Sequence, residues 1–168
     1  MTTGSHLGDG VLPVSAPVSA PAPEADDSPL PEKVRAMLAT DRASALLGIE
    51  VLYAGKGRAA ARMRIGPDMV NGHSIAHGGL VFALADTTFA CAVNSLGPSM
   101  VVTVDADIAF LRPAFLGDEL EAEAVTRVEL RRAVICDVTV RRDGETIAEF
   151  RARGQHLSEG AGPSRTER

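Results

Sequence analysis

The chain has 168 residues, enough for one domain with a substantial core and short for two. Apolar residues make up 45% of it and charged residues 23%, which is ordinary usage for a globular domain. The net charge of −5 lies mostly in the first 30 residues, whereas residues 31–157 carry 15 basic and 16 acidic side chains, so the composition argues against a general nucleic-acid-binding surface.

The first 30 residues are predicted to be a disordered or polyproline-like leader. Residues 11–23, VLPVSAPVSAPAP, repeat a Pro-Val-Ser-Ala unit, and proline at this density is incompatible with helices and sheet ladders. The N-terminus lacks the basic and apolar regions of a secretory signal, and no stretch approaches the roughly 20 uninterrupted apolar residues of a membrane span. We therefore expect a cytoplasmic protein without a membrane partner, and we expect residues 158–168 to form a flexible tail.

Residues 31–157 are predicted to form the folded domain. It begins with a helical pattern that Pro31 opens and Gly48 ends. Two strands are predicted to follow, near 49–54 and 58–65, because apolar and polar residues alternate in the second and a glycine-rich turn separates the two.

After a predicted loop at 66–77, the pattern indicates a helix from about Gly79 to Ser95, apolar on nearly every face and expected to be buried all round. The rest of the domain alternates apolar and polar residues as strands do, over 100–111, 119–130, 134–140 and a last strand to about His156. The connections are too short for helical crossovers, so the strands are expected to pair antiparallel. One long helix with five or six such strands predicts an α+β fold, and the hot-dog arrangement, in which the sheet wraps the helix, is one candidate.

The two cysteines, Cys91 and Cys136, lie in apolar stretches and form no CxxC pair. They are predicted to be reduced core thiols, with a disulfide between them as the alternative. A Cys91 nucleophile activated by His77 has little support, because Cys91 falls inside the apolar helix.

The stretch HGGLVFALAD, residues 77–86, places two glycines at the start of the long helix and a carboxylate two turns later. Glycine lets a ligand approach the main chain, and the unpaired first amides of a helix can hold the oxyanion of a tetrahedral intermediate. An ordinary loop-to-helix turn is the alternative at the glycines. A carboxylate in such a helix must be paired, hydrogen-bonded or protonated. Asp86 is therefore a nucleophile or general base, a structural residue bonded to a threonine or an amide, or the N-cap of a second helical segment.

The preceding loop holds the remaining candidates. Asn71 is either a turn residue or an amide that orients a water molecule or a thioester. His73 and His77 have the HxxxH spacing of a zinc helix. Glycines surround the pair and no HExxH glutamate is present, so we expect no metal.

Together these residues carry a family likeness. The segment VNGHSIAHGGLVFALADTTFACAVNSLG, with the later DIAFLRPAFLGDEL, resembles the hot-dog acyl-CoA thioesterases, and among them the PaaI-type phenylacetyl-CoA thioesterases. The resemblance covers about residues 31–157 and leaves the leader outside. It implies a long central helix wrapped by antiparallel strands, and hydrolysis of aryl- or arylacetyl-CoA to the free acid and CoA. No cofactor is expected, because CoA is part of the substrate.

The resemblance also implies roles for residues. Asp86 attacks the thioester or activates water, Gly78 next to His77 supplies the oxyanion amide, and Asn71 is the loop asparagine of the site. The site lies between two subunits, with Asp86 facing Gly78 and Asn71 of its neighbour. A homodimer is therefore the minimum assembly, and a homotetramer made of two dimers is typical.

Gly79, Thr103 and Arg112 are candidate substrate-binding residues. Thr103 lies where related thioesterases carry a water-orienting hydroxyl, and Arg112 is a candidate for the CoA channel, with a surface arginine as the alternative. Two other functions remain open. One is a hot-dog hydratase or dehydratase of enoyl or hydroxyacyl thioesters with His77 as its base, and the other is a non-catalytic acyl-CoA binding module.

Overall fold

One long helix packs against a six-stranded antiparallel sheet in the computed structural model, which describes residues 29–157. The elements in chain order are α1 (Glu32–Thr40), α2 (Arg42–Leu46), β1 (Glu50–Gly55), β2 (Arg58–Arg64), a 3-10 turn (Pro67–Met69), α3 (Gly78–Asn94), β3 (Val101–Phe110), β4 (Glu119–Glu129), β5 (Ala133–Arg142) and β6 (Glu145–His156). The strands lie in the order β1-β2-β4-β5-β6-β3, so β1 and β3 form the edges of the sheet. The predicted α+β hot-dog architecture is confirmed.

The predicted leader falls outside the described residues except for Pro29 and Leu30, and the predicted tail lies wholly outside them. Leu30 packs, partly buried, against the core. The packed part of the chain thus begins at about the point where the proline-rich composition ends.

The single helical pattern predicted before Gly48 is divided into two helices by Asp41. The Asp41 side chain accepts hydrogen bonds from the amides of Ala43 at 3.1 Å and Ser44 at 3.0 Å, and so caps α2. Aspartate favours this position because its carboxylate satisfies amides that a helix start leaves unpaired. The prediction of one continuous run was therefore wrong at a residue whose side chain competes with the helix backbone.

Helix α3 is buried on the side that faces the sheet. Its buried side chains include Leu84, Phe89 and Cys91, whereas Asp86 and Ala90 on the other side stay half-buried. The expectation that α3 is buried all round is thus met on one side only. The helix is continuous through Asp86, so a second helical segment that begins there is excluded. Across residues 29–157, no helix is long and apolar enough to cross a lipid bilayer.

Two β-bulges change which face the apolar residues occupy. The ladder of β3 shifts register between Thr103 and Asp105, and that of β4 shifts between Thr126 and Val128. A bulge inserts one unpaired residue and thereby reverses the alternation beyond it. Val104 and Val128, which the alternation predicted to be buried, are consequently exposed.

Both cysteines are free and buried, as predicted. Burial raises the pKa of Cys91 and that of Cys136 to about 12. A thiol with such a pKa is protonated near neutral pH, and the thiolate is the nucleophilic form. A Cys91 nucleophile is therefore excluded.

Candidate active site

The N-terminus of α3 is capped by His77. The Gly79 amide donates to His77 Nδ1 at 3.0 Å, and the amides of Leu80 and Val81 donate to the His77 carbonyl oxygen at 2.9 and 3.4 Å. Among the described residues, the Gly78 amide is the one first-turn donor of α3 left without an acceptor. It lies at the positive end of the helix dipole, where a developing oxyanion is stabilised.

The His77 ring presents a donor and no free acceptor. Because Nδ1 accepts the Gly79 N–H, the neutral ring carries its proton on Nε2. A general base needs an unoccupied acceptor nitrogen, so this geometry disfavours the role that a hydratase would require of His77. In the part of the chain that the structure describes, no three His, Cys, Asp or Glu side chains lie close enough together to hold a metal ion.

A pocket of about 510 Å³ opens beside Gly78. The lining residues on which its chemistry depends are Asn71, Gly78, Phe110 and Arg112. The Phe110 ring lies so close to Gly78 that a Cβ there would be 3.0 Å from a ring carbon. Glycine at this position therefore lets the aromatic ring lie over the start of the helix.

Asn71 holds the loop before α3 in shape and still faces this pocket. Its Oδ1 accepts a hydrogen bond from the His73 amide at 2.9 Å, and its backbone amide donates to the Ile75 carbonyl at 2.8 Å. The predicted turn role and the predicted site role are thus both compatible with its position. The side-chain Nδ2 group is the donor that remains for a ligand.

Arg112 lies at the same pocket and is already engaged at the surface. Its Nε pairs with a Glu145 carboxylate oxygen at 2.7 Å, and its Nη1 donates to the Thr146 carbonyl at 3.1 Å. Both charged side chains are about half exposed. The guanidinium is therefore a positive group held at the rim of the pocket, where a phosphate-bearing ligand would meet it.

Asp86 lies elsewhere on α3, in contact with Thr103 of β3. Thr103 Oγ1 donates a hydrogen bond to Asp86 Oδ1 at 3.0 Å. Partial burial raises the pKa of Asp86, and the hydrogen bond from Thr103 lowers it in part. The result is a half-buried carboxylate that is more basic than an ordinary aspartate and is oriented by one hydroxyl.

A second pocket, of about 530 Å³, adjoins Asp86 through Thr103. It lies between α1, the C-terminal half of α3 and the first residues of β3. The residues that line it are Lys33, Ala36, Met37, Thr40, Ala90, Asn94, Met100, Val101, Val102 and Thr103. We call this space the α1 pocket, and the one beside Gly78 the glycine pocket.

The predicted site residues therefore divide into two groups within one chain. Asn71, Gly78 and Arg112 line the glycine pocket, whereas Thr103 joins Asp86 at the α1 pocket. Gly78 and Asp86 are eight residues apart on one helix, which corresponds to about 12 Å along its axis. Gly79 lines neither pocket, because its amide is used by the His77 cap.

Phe110 and Lys33 were not predicted as site residues. Alternation assigned Phe110 to the buried face of its strand, yet it ends an edge strand, is 54% exposed and covers Gly78. Lys33 lies at the far end of the α1 pocket and donates to the carbonyl groups of Gly97 and Ser99. Sequence alone gives no signal for either contact, since both depend on elements distant in the chain.

The two groups supply complementary parts of one reaction. A free amide at a helix start can polarise a carbonyl and hold an oxyanion, and a partly desolvated carboxylate can attack that carbonyl or activate water. Hydrolysis of an ester or thioester needs both. One chain presents the two parts at separate pockets.

Known proteins share this sequence and architecture. The thioesterase superfamily model matches residues 73–151. The chain is 36% identical to the acyl-coenzyme A thioesterase PaaI of Escherichia coli (strain K12) over 127 residues, 75% of this chain and 90% of the relative. The E. coli PaaI structure superposes with a TM-score of 0.73 at 35% identity, covering 75% of this chain and 91% of that one. A mutant structure of the phenylacetic acid degradation protein PaaI from Thermus thermophilus gives 0.67 at 33% identity over 70% and 100% of the two chains. The chain therefore belongs to the PaaI-type acyl-CoA thioesterases of the hot-dog fold and is a thioester hydrolase.

Proposed function

We propose that this thioesterase hydrolyses aryl- or arylacetyl-CoA thioesters to the free acid and CoA, with Asp86 as nucleophile or general base and the Gly78 amide as oxyanion donor. The observation that carries the proposal is a half-buried carboxylate and an unused helix-start amide, each bordering its own pocket. The aryl substrate class rests on the relatives, since the E. coli structure is described as PaaI from the phenylacetic acid degradation operon.

The reaction follows from the two groups. The thioester oxygen accepts the Gly78 N–H, and a nucleophile adds to the carbonyl carbon to give a tetrahedral oxyanion. If the Asp86 carboxylate adds directly, collapse expels CoA thiolate and leaves an anhydride, which water then cleaves to the acid and free Asp86. If Asp86 acts as a base, it takes a proton from the attacking water. A thiolate leaves readily in both cases, because a thiol pKa is about 8.5.

The reaction requires two chains in this proposal. Because about 12 Å of helix separates Gly78 from Asp86, the amide and the carboxylate that flank one carbonyl come from different subunits. Strand β3 supports such an assembly, since it is a ten-residue edge strand that exposes Val104 and Phe110. A long edge strand with apolar side chains is a template for pairing with another chain. We propose a homodimer as the minimum and a dimer of dimers as the complete enzyme.

The test is hydrolysis of a thioester panel followed by thiol release. The panel contains phenylacetyl-CoA, benzoyl-CoA and straight-chain acyl-CoAs, each assayed with wild type and with Asp86→Asn. We expect Asp86→Asn to lower kcat by about 100-fold or more, as removal of a general base or nucleophile does. Asp143→Asn is the matched control, because Asp143 is an exposed turn residue with φ of +49° that asparagine also tolerates.

Two outcomes would count against the proposal. Full activity of Asp86→Asn would remove Asp86 from the mechanism. Loss of enoyl-CoA absorbance without thiol release would instead indicate a hydratase. A preference for straight-chain over aryl thioesters would keep the enzyme class and correct the substrate.

A further inference from the structure

The α1 pocket begins at the proposed catalytic carboxylate. Thr103, which donates to Asp86, is part of its lining, and Ala90 and Asn94 continue the lining one and two turns further along α3. Residues four apart on a helix are neighbours on one side, so a group that leaves Asp86 along this face enters the pocket. The pocket is therefore continuous with the point of attack and is not a separate surface hollow.

The outer wall of this pocket is α1, and it is fastened at both ends. At the far end, the Lys33 ammonium donates to Gly97 O at 3.1 Å and to Ser99 O, both in the loop after α3. At the near end, Ser44 Oγ and Thr87 Oγ1 share a hydrogen bond of 2.9 Å, and Thr87 follows Asp86 directly. A wall tied to α3 at two points gives a pre-formed pocket, as small-molecule sites usually have.

The side chains between these ties are small or flexible and mainly apolar. Ala36 and Met37 face the pocket from α1, and Met100 and Val102 face it from the start of β3. Methionine adapts its shape to different apolar ligands. A lining of this kind fits hydrocarbon and offers little to a phosphate or a sugar.

We propose that the α1 pocket holds the acyl group of the substrate, and that it accepts groups of up to about ten carbon atoms, longer than a phenylacetyl group. The proposal rests on the proposed function, because it takes the thioester carbonyl to react at Asp86. From Asp86 to Asn94 the helix rises about 12 Å. An extended chain advances about 1.2 Å per single bond, by analogy with about 3.5 Å for the three bonds of a residue, so about ten bonds fit.

Selectivity then follows from burial. Each methylene group taken out of water contributes about a factor of four in binding. We expect kcat/KM to rise along the straight-chain series until the chain reaches the Lys33 end, and to stop rising there. Ala36 and Lys33 thereby set the width and the length of the acyl group that the enzyme accepts.

The first test fills the pocket. In the full-length enzyme, Ala36→Phe should lower kcat/KM for decanoyl-CoA by about tenfold or more while butyryl-CoA changes less than about twofold, because only the longer group reaches α1. The matched control is Ala39→Phe, an exposed α1 position outside the lining. Equal losses with both substrates, or an unchanged ratio, would overturn the proposal.

A second variant and a binding measurement complete the design. Lys33→Ala opens the far end and should raise kcat/KM for dodecanoyl-CoA relative to decanoyl-CoA by about fivefold, since further methylenes can enter. No change in that ratio would contradict the assigned end of the pocket. Calorimetric binding of a non-hydrolysable decanoyl-CoA thioether to wild type and Ala36→Phe reads the pocket without turnover. An enzyme that hydrolyses no acyl-CoA yet binds the thioether at least tenfold more weakly as Ala36→Phe would refute the proposed function and keep the acyl pocket, and equal binding would refute the pocket.

Discussion

Asp86 shows at the scale of one residue how folding and chemistry compete. Burial raises the pKa of Asp86, which means that the ionised form costs free energy in the folded chain. The hydrogen bond from Thr103 offsets part of that cost and fixes one carboxylate oxygen. A carboxylate that is partly dry and singly bonded is a better base than a fully solvated one, so the residue serves chemistry at the expense of stability.

Removal of the Thr103 hydroxyl should shift the pH dependence of the enzyme. The active form of Asp86 is the carboxylate, so kcat/KM falls as the pH falls through its raised pKa. Thr103 lowers that pKa, and Thr103→Val therefore moves the acidic limb of the profile to higher pH. Thr103→Ser keeps the hydroxyl and should keep the wild-type limb. Rate profiles of the three enzymes between about pH 4 and 8 decide it, and a Val limb that coincides with wild type would show that the hydrogen bond does not act on the reacting group.

Gly78 allows a substitution that deletes one atom group and spares the fold. Proline is favoured at the first position of a helix, and His77 before it has φ of −66° and ψ of 123°, as residues before proline prefer. Gly78→Pro should lower kcat by about 10² to 10³, because it removes one oxyanion donor. Gly78→Ala keeps the amide and brings a Cβ to the same Phe110 contact. It should lose far less activity at a similar thermal midpoint, and equal losses would assign the effect to Phe110 instead.

At the scale of elements, the relation of α3 to β3 places Asp86 against Thr103. Asn94 fixes that relation, since its side chain donates to the carbonyls of Ala90 and Val101 and accepts from the Val101 amide, each at 3.0 Å. It is 3% exposed. A buried polar side chain that satisfies three backbone groups defines where the helix ends and where the strand begins.

Asn94→Ala should destabilise the protein by about 2–4 kcal/mol, because it leaves buried backbone groups of Val101 without partners. The matched control is Thr88→Val on the same helix. Thr88 is equally buried, but its hydroxyl donates only to the Leu84 carbonyl, so about 1 kcal/mol or less is expected. Urea unfolding of the two variants provides the comparison. Equal midpoints would show that the Asn94 bridge contributes no more than one local hydrogen bond.

Local patterns predicted most elements because their causes are local. The Asp143-Gly144 turn formed as expected, with φ of +49° and +79°, since only residues that tolerate positive φ close such a hairpin. Val104 and Val128 were misplaced because a bulge depends on the partner strand and leaves no mark in the alternation. The Asp41 cap was likewise missed, since its acceptor role became decisive only where α1 and α2 pack against α3.

At the scale of the whole molecule, the composition of the site was predictable from sequence and its arrangement was not. The string from Asn71 to Asp86 named the amide, the carboxylate and the loop asparagine. Their distribution over two pockets is a property of the folded chain, and it gives the monomer two half-sites in place of one site. Two-fold symmetry would pair each half with its complement twice, once on each side of the axis.

Mixing two inactive variants tests that arrangement directly. Asp86→Asn lacks the carboxylate and Gly78→Pro lacks the amide, so each homodimer should be nearly inactive. A heterodimer joins the intact Asp86 of one chain to the intact Gly78 of the other, so one of its two sites is complete. If subunits exchange at random, half of the dimers are mixed, and the mixture should recover about a quarter of wild-type activity. Co-unfolding and refolding of the two variants in equal amounts, with each variant refolded alone as the control, provides the measurement. If both groups acted within one chain, no heterodimer would hold a complete site, and the mixture would stay as inactive as its parents.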